Sequence, residues 1–315
     1  MTAHALHVAP PFKAKGSRGP WHEVCESMRL TGNATVLTTW GEWLDAASAG
    51  GGLREMLGPD WQRYRRTPDP AVRHRFAASR LAVKYTAAAA LGTEPVELDL
   101  AYTPGGRPYL RGFGQLDVSL THCEDLIAVS VSRTGRIGVD AEPSRTRPPA
   151  EGFLGHVCTA AERAGLGLLS EREQHRARLR LWTLKEAYSK ALGQGLSLGF
   201  TEFGFTPCGR CRVGADGGRC ALLCAPDGTP VESDAWTFAT HLVLGGRYLI
   251  SVACQDTGVV TGPGPAVPAP LDETVLSTLT DRLSRRHVLP ETLETHVPSS
   301  VHLGVRDRGS PRQDR

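Results

Sequence analysis

Two acidic residues one position apart, Asp140 and Glu142, end a short apolar run in the middle of the chain. In a β-strand, residues i and i+2 point to the same face, so these two carboxylates would lie side by side. Carboxylates in close contact disfavour each other's ionisation. A hard cation removes that conflict, and Mg²⁺ typically takes one or two carboxylates together with substrate phosphates. The pair therefore predicts a divalent-cation site that acts on a phosphorylated substrate.

A second charged group lies in the segment 182–190, where Glu186 and Lys190 are four residues apart. Residues i and i+4 share a face of a helix. Apolar residues occupy the opposite face at helical spacing: Leu181, Leu184, Tyr188, Ala191 and Leu192. The segment therefore predicts a helix with a core side and a chemical side. Each pattern alone has an ordinary alternative, because D-x-E is usually a solvated strand face and E-x3-K is usually a surface ion pair.

The motifs in their order along the chain are more specific than either one alone. GVDAE at 138–142 is followed by WTLKEAYSK at 182–190 and GQGLSL at 193–198. This order resembles that of the 4'-phosphopantetheinyl transferases of the Sfp type. GRPYL at 106–110 and VSLTHC at 118–123 resemble two further segments of that family.

The resemblance begins upstream of these motifs. The basic segment 73–81 is similar to a first-half helix of the family, and the whole resemblance covers residues 35–255. It implies two similar α+β lobes related by a pseudo-twofold axis, with coenzyme A bound in the cleft between them.

Residue patterns independently favour an α+β fold, because helical segments are interleaved with antiparallel-looking strands in each half. Helices are predicted at 70–91, ending at Gly92, and at 159–169, where Thr159 opens a capping box. Strands are predicted at 34–40, 98–102, 118–121, 127–132 and the segment that carries Asp140, and then at 203–206, 210–213, 220–223, 235–242 and 248–254.

Four regions follow from these patterns. We expect a weakly structured lead at 1–33, an N-terminal lobe at 34–134 and a C-terminal lobe at 135–256. A Pro- and Gly-rich linker with a C-terminal extension is predicted at 257–315.

The resemblance implies the reaction. The 4'-phosphopantetheine arm of coenzyme A would move to a serine of an apo acyl or peptidyl carrier protein, and 3',5'-ADP would leave. The reaction would depend on Mg²⁺, with Mn²⁺ as a substitute. Fatty-acid, polyketide and non-ribosomal peptide carriers all stay open; the Ala-, Gly- and Arg-rich composition suggests a high-GC organism with secondary metabolism.

The resemblance also assigns the catalytic residues. Asp140, Glu142 and Glu186 match the three metal-site acids. Glu186, or a water that it holds, is the candidate general base for the carrier serine. Lys190 would contact the pyrophosphate, and with Glu186 and Asp140 it forms the expected catalytic set. Lys185 would pair with the neighbouring acid or face a phosphate.

The remaining assignments concern coenzyme A. Arg107 matches a phosphate-binding lysine of the family, and its guanidinium could grip phosphate at two points. His122 matches a histidine that contacts the 3'-phosphate, and Thr121 keeps the hydroxyl of a family serine. The basic segment and the residues before it add candidates for contact with coenzyme A: Arg63, Arg75 and Arg80. Arg75 is the favoured one, and a solvated basic face is the alternative for Arg63 and Arg80.

Composition limits the other functions. The chain has 315 residues, 40% hydrophobic and 22% charged, with a formal net charge of +3. The mild charge does not indicate nucleic-acid binding. No apolar run is long enough to span a bilayer, and residues 1–20 lack the apolar core of a secretory signal. We therefore expect a cytoplasmic monomer that binds no membrane.

Cysteines leave one alternative open. Four of them have approximately zinc-like spacing: Cys208, Cys211, Cys220 and Cys224. The other interpretation is a hairpin, with strands at 210–213 and 219–223, that brings cysteines together without a metal. A zinc-holding interaction module and a catalytically impaired paralogue are thus the alternative functions. The intact acids and Lys190 argue against impairment, and a different phosphotransferase is disfavoured because the sequence has no P-loop motif.

Overall fold

The computed structural model describes residues 8–45, 52–146, 151–208, 218–231 and 235–257. All of them belong to one compact unit. The linker and extension predicted at 257–315 lie outside the described residues beyond position 257.

Helices and strands alternate along the described chain, which confirms the α+β class. The helices are α1 Trp21–Thr31, α2 Leu53–Leu57, α3 Trp61–Arg66, α4 Pro70–Leu91, α5 Glu151–Val157, α6 Ala160–Gly167 and α7 Glu171–Leu192. The strands are β1 Phe12–Lys13, β2 Asn33–Thr39, β3 Leu100–Tyr102, β4 Pro108–Leu110, β5 Asp117–Cys123, β6 Leu126–Ser132, β7 Ile137–Pro143, β8 Gly204–Pro207, β9 Arg219–Cys224, β10 Trp236–Val243 and β11 Tyr248–Gln255.

The first sheet has the strand order β1-β2-β6-β5 and packs against α4. This helix begins where the Asp69 carboxylate accepts hydrogen bonds from two backbone N–H groups, and Pro70 occupies its first turn. It ends at Gly92, which has a left-handed φ of 71° that favours glycine. The helix bounds predicted from the sequence are confirmed.

The second sheet has the order β7-β11-β10-β9-β8 and is antiparallel throughout. Helix α7 lies across β7 and β11. Its core side is anchored by Tyr188, whose ring makes edge contacts with four aromatic rings: Phe203, Phe205, Trp236 and Phe238. Such contacts stabilise a core beyond the burial of apolar area alone. These contacts bury one face of α7, so the opposite face, which carries Glu186 and Lys190, is turned toward β7.

Gly138 sets the closest approach between α7 and β7. A Cβ atom at this position would lie 1.9 Å from the Ala187 carbonyl oxygen and 2.6 Å from the Ala191 nitrogen. Only a glycine therefore permits this contact between helix and strand. The close approach brings the GVDAE and WTLKEAYSK segments together.

The two sheets meet at their edge strands, β5 and β7. Side chains of β5 satisfy backbone groups of β7, since Ile137 N donates to Asp117 Oδ2 at 2.7 Å and Val139 N donates to Ser119 Oγ at 3.1 Å. Thr121 is the next residue on the same face of β5. This polar face therefore joins the sheets and leads directly to the site.

One expectation for local structure is wrong. The predicted weakly structured lead at 1–33 contains α1, which buries Val24 and Met28. These residues are four positions apart and thus share one helix face, which packs against α4. The short strand β4 had no counterpart among the predicted strands, and the predicted strand at 210–213 lies outside the described residues.

Across the described parts of the chain, no helix has both the length and the apolar character that crossing a membrane requires.

Candidate active site

Asp140 is the centre of a polar cluster on β7. The residue is only 6% exposed. Its Oδ1 atom accepts hydrogen bonds from Lys190 Nζ at 2.6 Å and from Thr121 Oγ1 at 3.2 Å. Its Oδ2 atom is buried and has no hydrogen-bond partner. Because a buried carboxylate oxygen without a partner is costly, this atom points to a missing ligand.

Besides burial, the charge of Asp140 helps to raise the pKa of two further carboxylates, those of Glu186 and Glu142. Burial is the main cause that raises the pKa of Glu186, and the charge of Asp140 adds to it, while Lys190 opposes the increase. The pKa of Glu142 is also raised, first by burial and then by Asp140, although Trp182 Nε1 donates to its Oε1 at 3.3 Å. The cluster therefore contains three carboxylates and one ammonium group.

The cluster presents the oxygen donors that a metal site would use. Within the described residues, no group of three or more His, Cys, Asp or Glu side chains is already arranged to hold a metal ion. The chemistry of the donors nevertheless fits a hard divalent cation, which prefers oxygen ligands. The unpartnered Oδ2 of Asp140 and the raised pKa values of Glu142 and Glu186 are the features that a cation would relieve. A metal site formed by Asp140, Glu142 and Glu186 therefore stays a prediction, and the chemistry of these residues is compatible with it.

The raised pKa of Glu186 has a consequence for stability. A carboxyl group whose pKa is higher in the folded protein stabilises the fold below its unfolded pKa and loses that contribution as the pH rises through its folded pKa. Glutamine does not titrate. In EDTA, we therefore expect the melting temperature of Glu186→Gln, relative to the wild type, to increase between about pH 5 and about pH 8. Calorimetry at both pH values measures this, and a difference that stays constant or decreases contradicts it.

Lys185 does not reach the cluster, so its assignment to coenzyme A is wrong. Its side chain is fully buried, and its Nζ atom lies 2.8 Å from Glu162 Oε2. The same ammonium donates to the carbonyl oxygens of Phe200 at 2.5 Å and Phe203 at 2.7 Å. Successive helix residues are rotated by about 100°, so Lys185 and Glu186 face different surroundings. Lys185 holds α7 in place and contacts no solvent.

Arg107 is also engaged within the protein. Its guanidinium forms an ion pair with Asp117 and donates to the carbonyl oxygens of Ile137 and Lys190. These partners belong to β5, β7 and α7, which are the elements that form the cluster. The structure therefore corrects the expected phosphate contact, because Arg107 clamps these three elements together.

The other basic candidates contact aromatic rings. Arg63 and Arg80 lie over the ring of Phe76, and Arg75 lies over another aromatic ring. Arg80 also forms an ion pair with Asp60 at 3.0 Å. Arg63 and Arg75 are exposed and keep donors available to an anion. The recorded partners of all three arginines lie outside the carboxylate cluster.

His122 and Thr121 point to opposite faces of β5, as neighbours in a strand do. Thr121 is buried in the cluster and His122 is exposed, opposite Ile127 on β6. The structure therefore unites Thr121 with Asp140 and leaves His122 on the other side of the strand. Burial, and then the nearby carboxylates of Glu142 and Asp140, raise the pKa of the Cys123 thiol to about 12, which disfavours its thiolate form.

Sequence reasoning missed three contributors: Asp117, Ser119 and Trp182. The first two, with Thr121, are polar residues at alternate positions of an otherwise apolar strand. Alternation of this kind indicates a polar face and could have identified them. For the indole of Trp182, no sequence signal distinguishes a partner of Glu142 from an ordinary core residue.

The zinc alternative concerns the β8–β9 hairpin. These strands are paired, with Gly204 opposite Cys224, and Cys208 N donates to Cys220 O at 3.3 Å. The pairing of β9 with β8 brings Cys208 near Cys220 through the backbone, whereas the predicted hairpin strand at 210–213 lies outside the described residues and stays a prediction. Cys211 lies outside the described residues.

Comparisons with known proteins point to one family. Residues 136–252 match the family model described as the 4'-phosphopantetheinyl transferase superfamily. The chain is similar to the 4'-phosphopantetheinyl transferase HetI of Nostoc sp., with 32% identity over 142 residues, or 44% of this chain and 60% of the relative.

Two further examples match over similar lengths. The L-aminoadipate-semialdehyde dehydrogenase-phosphopantetheinyl transferase of Eremothecium gossypii is 35% identical over 141 residues, 40% of this chain and 50% of the relative. The 4'-phosphopantetheinyl transferase of Bacillus subtilis is 25% identical over 130 residues, 41% of this chain and 57% of the relative. The chain thus spans 50–60% of the length of these three relatives.

Proposed function

We propose that the protein transfers 4'-phosphopantetheine from coenzyme A to a serine of an apo carrier protein and releases 3',5'-ADP, because residues 136–252 match the model of the 4'-phosphopantetheinyl transferase superfamily. The matched residues include the GVDAE and WTLKEAYSK motifs that carry the resemblance. One observation carries the proposal: within the matched segment, Lys190 Nζ contacts Asp140 at 2.6 Å, beside the carboxylates of Glu142 and Glu186.

The finer fold proposal is a pair of similar lobes, 34–134 and 135–256, with the reaction in the cleft between them. Its support is a local pattern that occurs twice. The 22-residue helices α4 and α7 each pack on a sheet and end at a glycine with a left-handed φ. Each is followed by a short 3-10 helix and then by a strand.

Mg²⁺, with Mn²⁺ as a substitute, would be held by Asp140, Glu142 and Glu186. When bound, it would neutralise negative charge on the pyrophosphate of coenzyme A. The unpartnered Asp140 Oδ2 supports this assignment, since it is a free oxygen donor inside the cluster.

The remaining chemistry falls to the chain's own residues. The serine oxygen forms a bond to the phosphorus that carries pantetheine, the bond from that phosphorus to the bridging oxygen breaks, and the electron pair leaves with 3',5'-ADP. Glu186 accepts the serine proton, directly or through a water. The place of the Glu186 carboxylate beside Asp140 and Lys190 supports this role. Lys190 would neutralise the departing phosphate, because its side chain is 29% exposed and lies beside Asp140.

Several parts of the proposal rest on the family alone. Thr121, His122, Arg63, Arg75 and Arg80 remain candidates for binding coenzyme A. Acyl and peptidyl carriers are the proposed protein substrates. We further propose a cytoplasmic, monomeric enzyme. A catalytically impaired paralogue is less favoured, because all four charged residues of the cluster are present.

The direct test is mass spectrometry of apo carrier domains from fatty-acid, polyketide and non-ribosomal peptide systems after incubation with the protein and coenzyme A. We expect at least one carrier to gain the mass of phosphopantetheine when Mg²⁺ is present. EDTA should abolish the gain, and Mg²⁺ or Mn²⁺ in excess should restore it. Failure to modify any carrier, with a known transferase active in the same assay, would reject the function.

A further inference from the structure

Two cysteines, Cys208 and Cys220, lie opposite each other at the end of the paired strands β8 and β9. Pro207 is opposite Ala221, so the next residues in the register, Cys208 and Cys220, are opposite each other as well. A hydrogen bond from Cys208 N to Cys220 O, 3.3 Å long, joins them. Both residues are partly exposed, whereas Cys224, at the other end of β9, is buried. The two thiols therefore form a cross-strand pair that small molecules can reach.

The backbone geometry of this pair permits a disulfide bond, but only under strain. Opposite residues that are joined by a backbone hydrogen bond have Cα atoms about 5.5 Å apart, which is within the range found in disulfides. Their Cβ atoms are also about 5.5 Å apart, whereas a disulfide needs about 3.8 Å. The two Cβ atoms must therefore approach by about 1.5 Å. A disulfide closed in this way is more easily reduced than a relaxed one.

The recorded contacts hold Cys220 on two sides, so the movement falls mainly on Cys208. Ala239 of β10 is opposite Cys220, and Arg180 Nη2 donates to the Cys220 carbonyl oxygen at 2.9 Å. Cys208 follows the last residue of β8, which is an edge strand of the second sheet. The pair thus combines a thiol on an inner strand with a thiol at the end of an edge strand.

The strand register separates this pair from Cys224. That residue is opposite Gly204 and lies four residues from Cys220, or about 13 Å along β9. Zinc binds thiolates at about 2.3 Å, so two cysteines that share a zinc ion have sulfur atoms less than about 5 Å apart. One zinc ion therefore cannot bind Cys220 and Cys224 together in this pairing, which argues against a four-cysteine zinc site.

We propose that Cys208 and Cys220 form a reversible modification site, which hydrogen peroxide oxidises to a disulfide. One thiol attacks a peroxide oxygen and becomes a sulfenic acid as the O–O bond breaks and one water leaves. The other thiol attacks that sulfur, the S–S bond forms and a second water leaves. The two sulfurs thus give up two electrons to the peroxide oxygens, and both thiol protons leave in water.

A low-molecular-weight thiol such as glutathione reverses the modification. Two molecules of it reduce the bond and leave as their own disulfide, by way of a mixed disulfide. Strained and exposed disulfides are the labile ones, and transient disulfides of this kind serve redox sensing in reducing compartments. The site does not depend on the proposed transfer reaction.

The test is peptide mapping of the full-length protein after treatment with hydrogen peroxide and alkylation of the remaining thiols. Trypsin cleaves after Lys190, Arg210, Arg219 and Arg247, so Cys208 and Cys220 fall in separate peptides, 191–210 and 220–247. We expect these peptides to be joined, with a mass two hydrogen atoms below their sum. Fragment ions from cleavage between Cys220 and Cys224 assign the bond to Cys220. Excess reduced glutathione should restore both separate peptides.

Matched cysteine variants decide the outcome. Cys208→Ser should abolish the joined peptide, whereas Cys211→Ser and Cys25→Ser, which changes an exposed cysteine of α1, should retain it. The proposal is overturned if Cys25 is oxidised but no joined peptide forms, or if the bond involves Cys211 or Cys224. It is also overturned if the joined peptide occurs only in covalent dimers, or if glutathione does not reduce it. About one equivalent of zinc that is lost in Cys208→Ser would overturn it as well, because the thiols would then be metal ligands.

Discussion

Replacing Asp140 by Asn or Glu186 by Gln is expected to lower turnover by two or more orders of magnitude, the usual size for loss of a metal ligand or transition-state contact. Asp140 accepts the Lys190 and Thr121 hydrogen bonds and also presents the unpartnered Oδ2 atom. Glu186 is both the proposed base and a proposed ligand of the metal, and it lies in the electrostatic field of Asp140 and Lys190. Turnover is measured from carrier mass at saturating coenzyme A, carrier and Mg²⁺.

The control for these variants is Glu26→Gln, which removes an exposed carboxylate on α1 that pairs only with Arg29 in the recorded contacts. We expect it to retain normal turnover. Circular dichroism and melting temperature establish that the site variants are folded, because a lost fold would also abolish activity. A folded Asp140→Asn or Glu186→Gln variant with near-normal turnover would remove that residue from the catalytic set.

Local patterns were sufficient to predict most of the fold. The helix at 70–91 was predicted with correct bounds, because Pro70 and Gly92 mark its ends by backbone conformation that few other residues adopt. The Thr159 capping box was predicted from its spacing and is present, with Glu162 N donating to Thr159 Oγ1 at 3.1 Å. Alternation of apolar residues placed the long strands to within a few residues.

The central site was accessible from sequence for a similar reason. Asp140 and Glu142 share a strand face, and Glu186 and Lys190 share a helix face, so the two halves needed only one tertiary contact to meet. Gly138 provides that contact, since it lets α7 approach β7 without a side chain between them. The strand and helix repeats alone show that the two members of each pair point to the same side. The distance between the two pairs depends on how α7 packs against β7.

Tertiary partners could not be predicted in this way. Arg107 was assigned to phosphate because the GRPYL segment resembles a phosphate-binding segment of the family, but Asp117 is ten residues away and reaches it only through the fold. The Pro- and Gly-rich surroundings of α1 likewise favoured a weakly structured lead, although the sequence offers Trp21, Val24 and Met28 as residues that could pack, and Val24 and Met28 are buried. Partners that are distant in sequence thus determined which polar residues serve structure and which remain for chemistry.

Replacing Lys185 by Met is expected to destabilise the protein by about 3–5 kcal/mol, because it removes one member of a buried ion pair and leaves the other without compensation. Glu162 would keep its hydrogen bonds from the backbone nitrogens of Thr159 and Phe205 but lose its only recorded ammonium partner. Burial lowers the pKa of Lys185, while the charge of Glu162 opposes that effect. Urea unfolding measures the loss, with Lys84→Met as a control for removing another buried lysine that has no recorded ion pair.

A double-mutant cycle with Glu162→Gln measures the interaction free energy between Lys185 and Glu162, apart from the effect of each single substitution. The loss in Lys185→Met/Glu162→Gln should be smaller than the sum of the two single losses, because an uncompensated buried charge is present in each single variant and absent from the double variant. The folded fraction of Lys185→Met should bind coenzyme A with the wild-type KM, since the ammonium is fully buried and points away from the carboxylate cluster. A KM for coenzyme A that rises about tenfold without a loss of stability would return Lys185 to the phosphate-binding role that the sequence motif suggested.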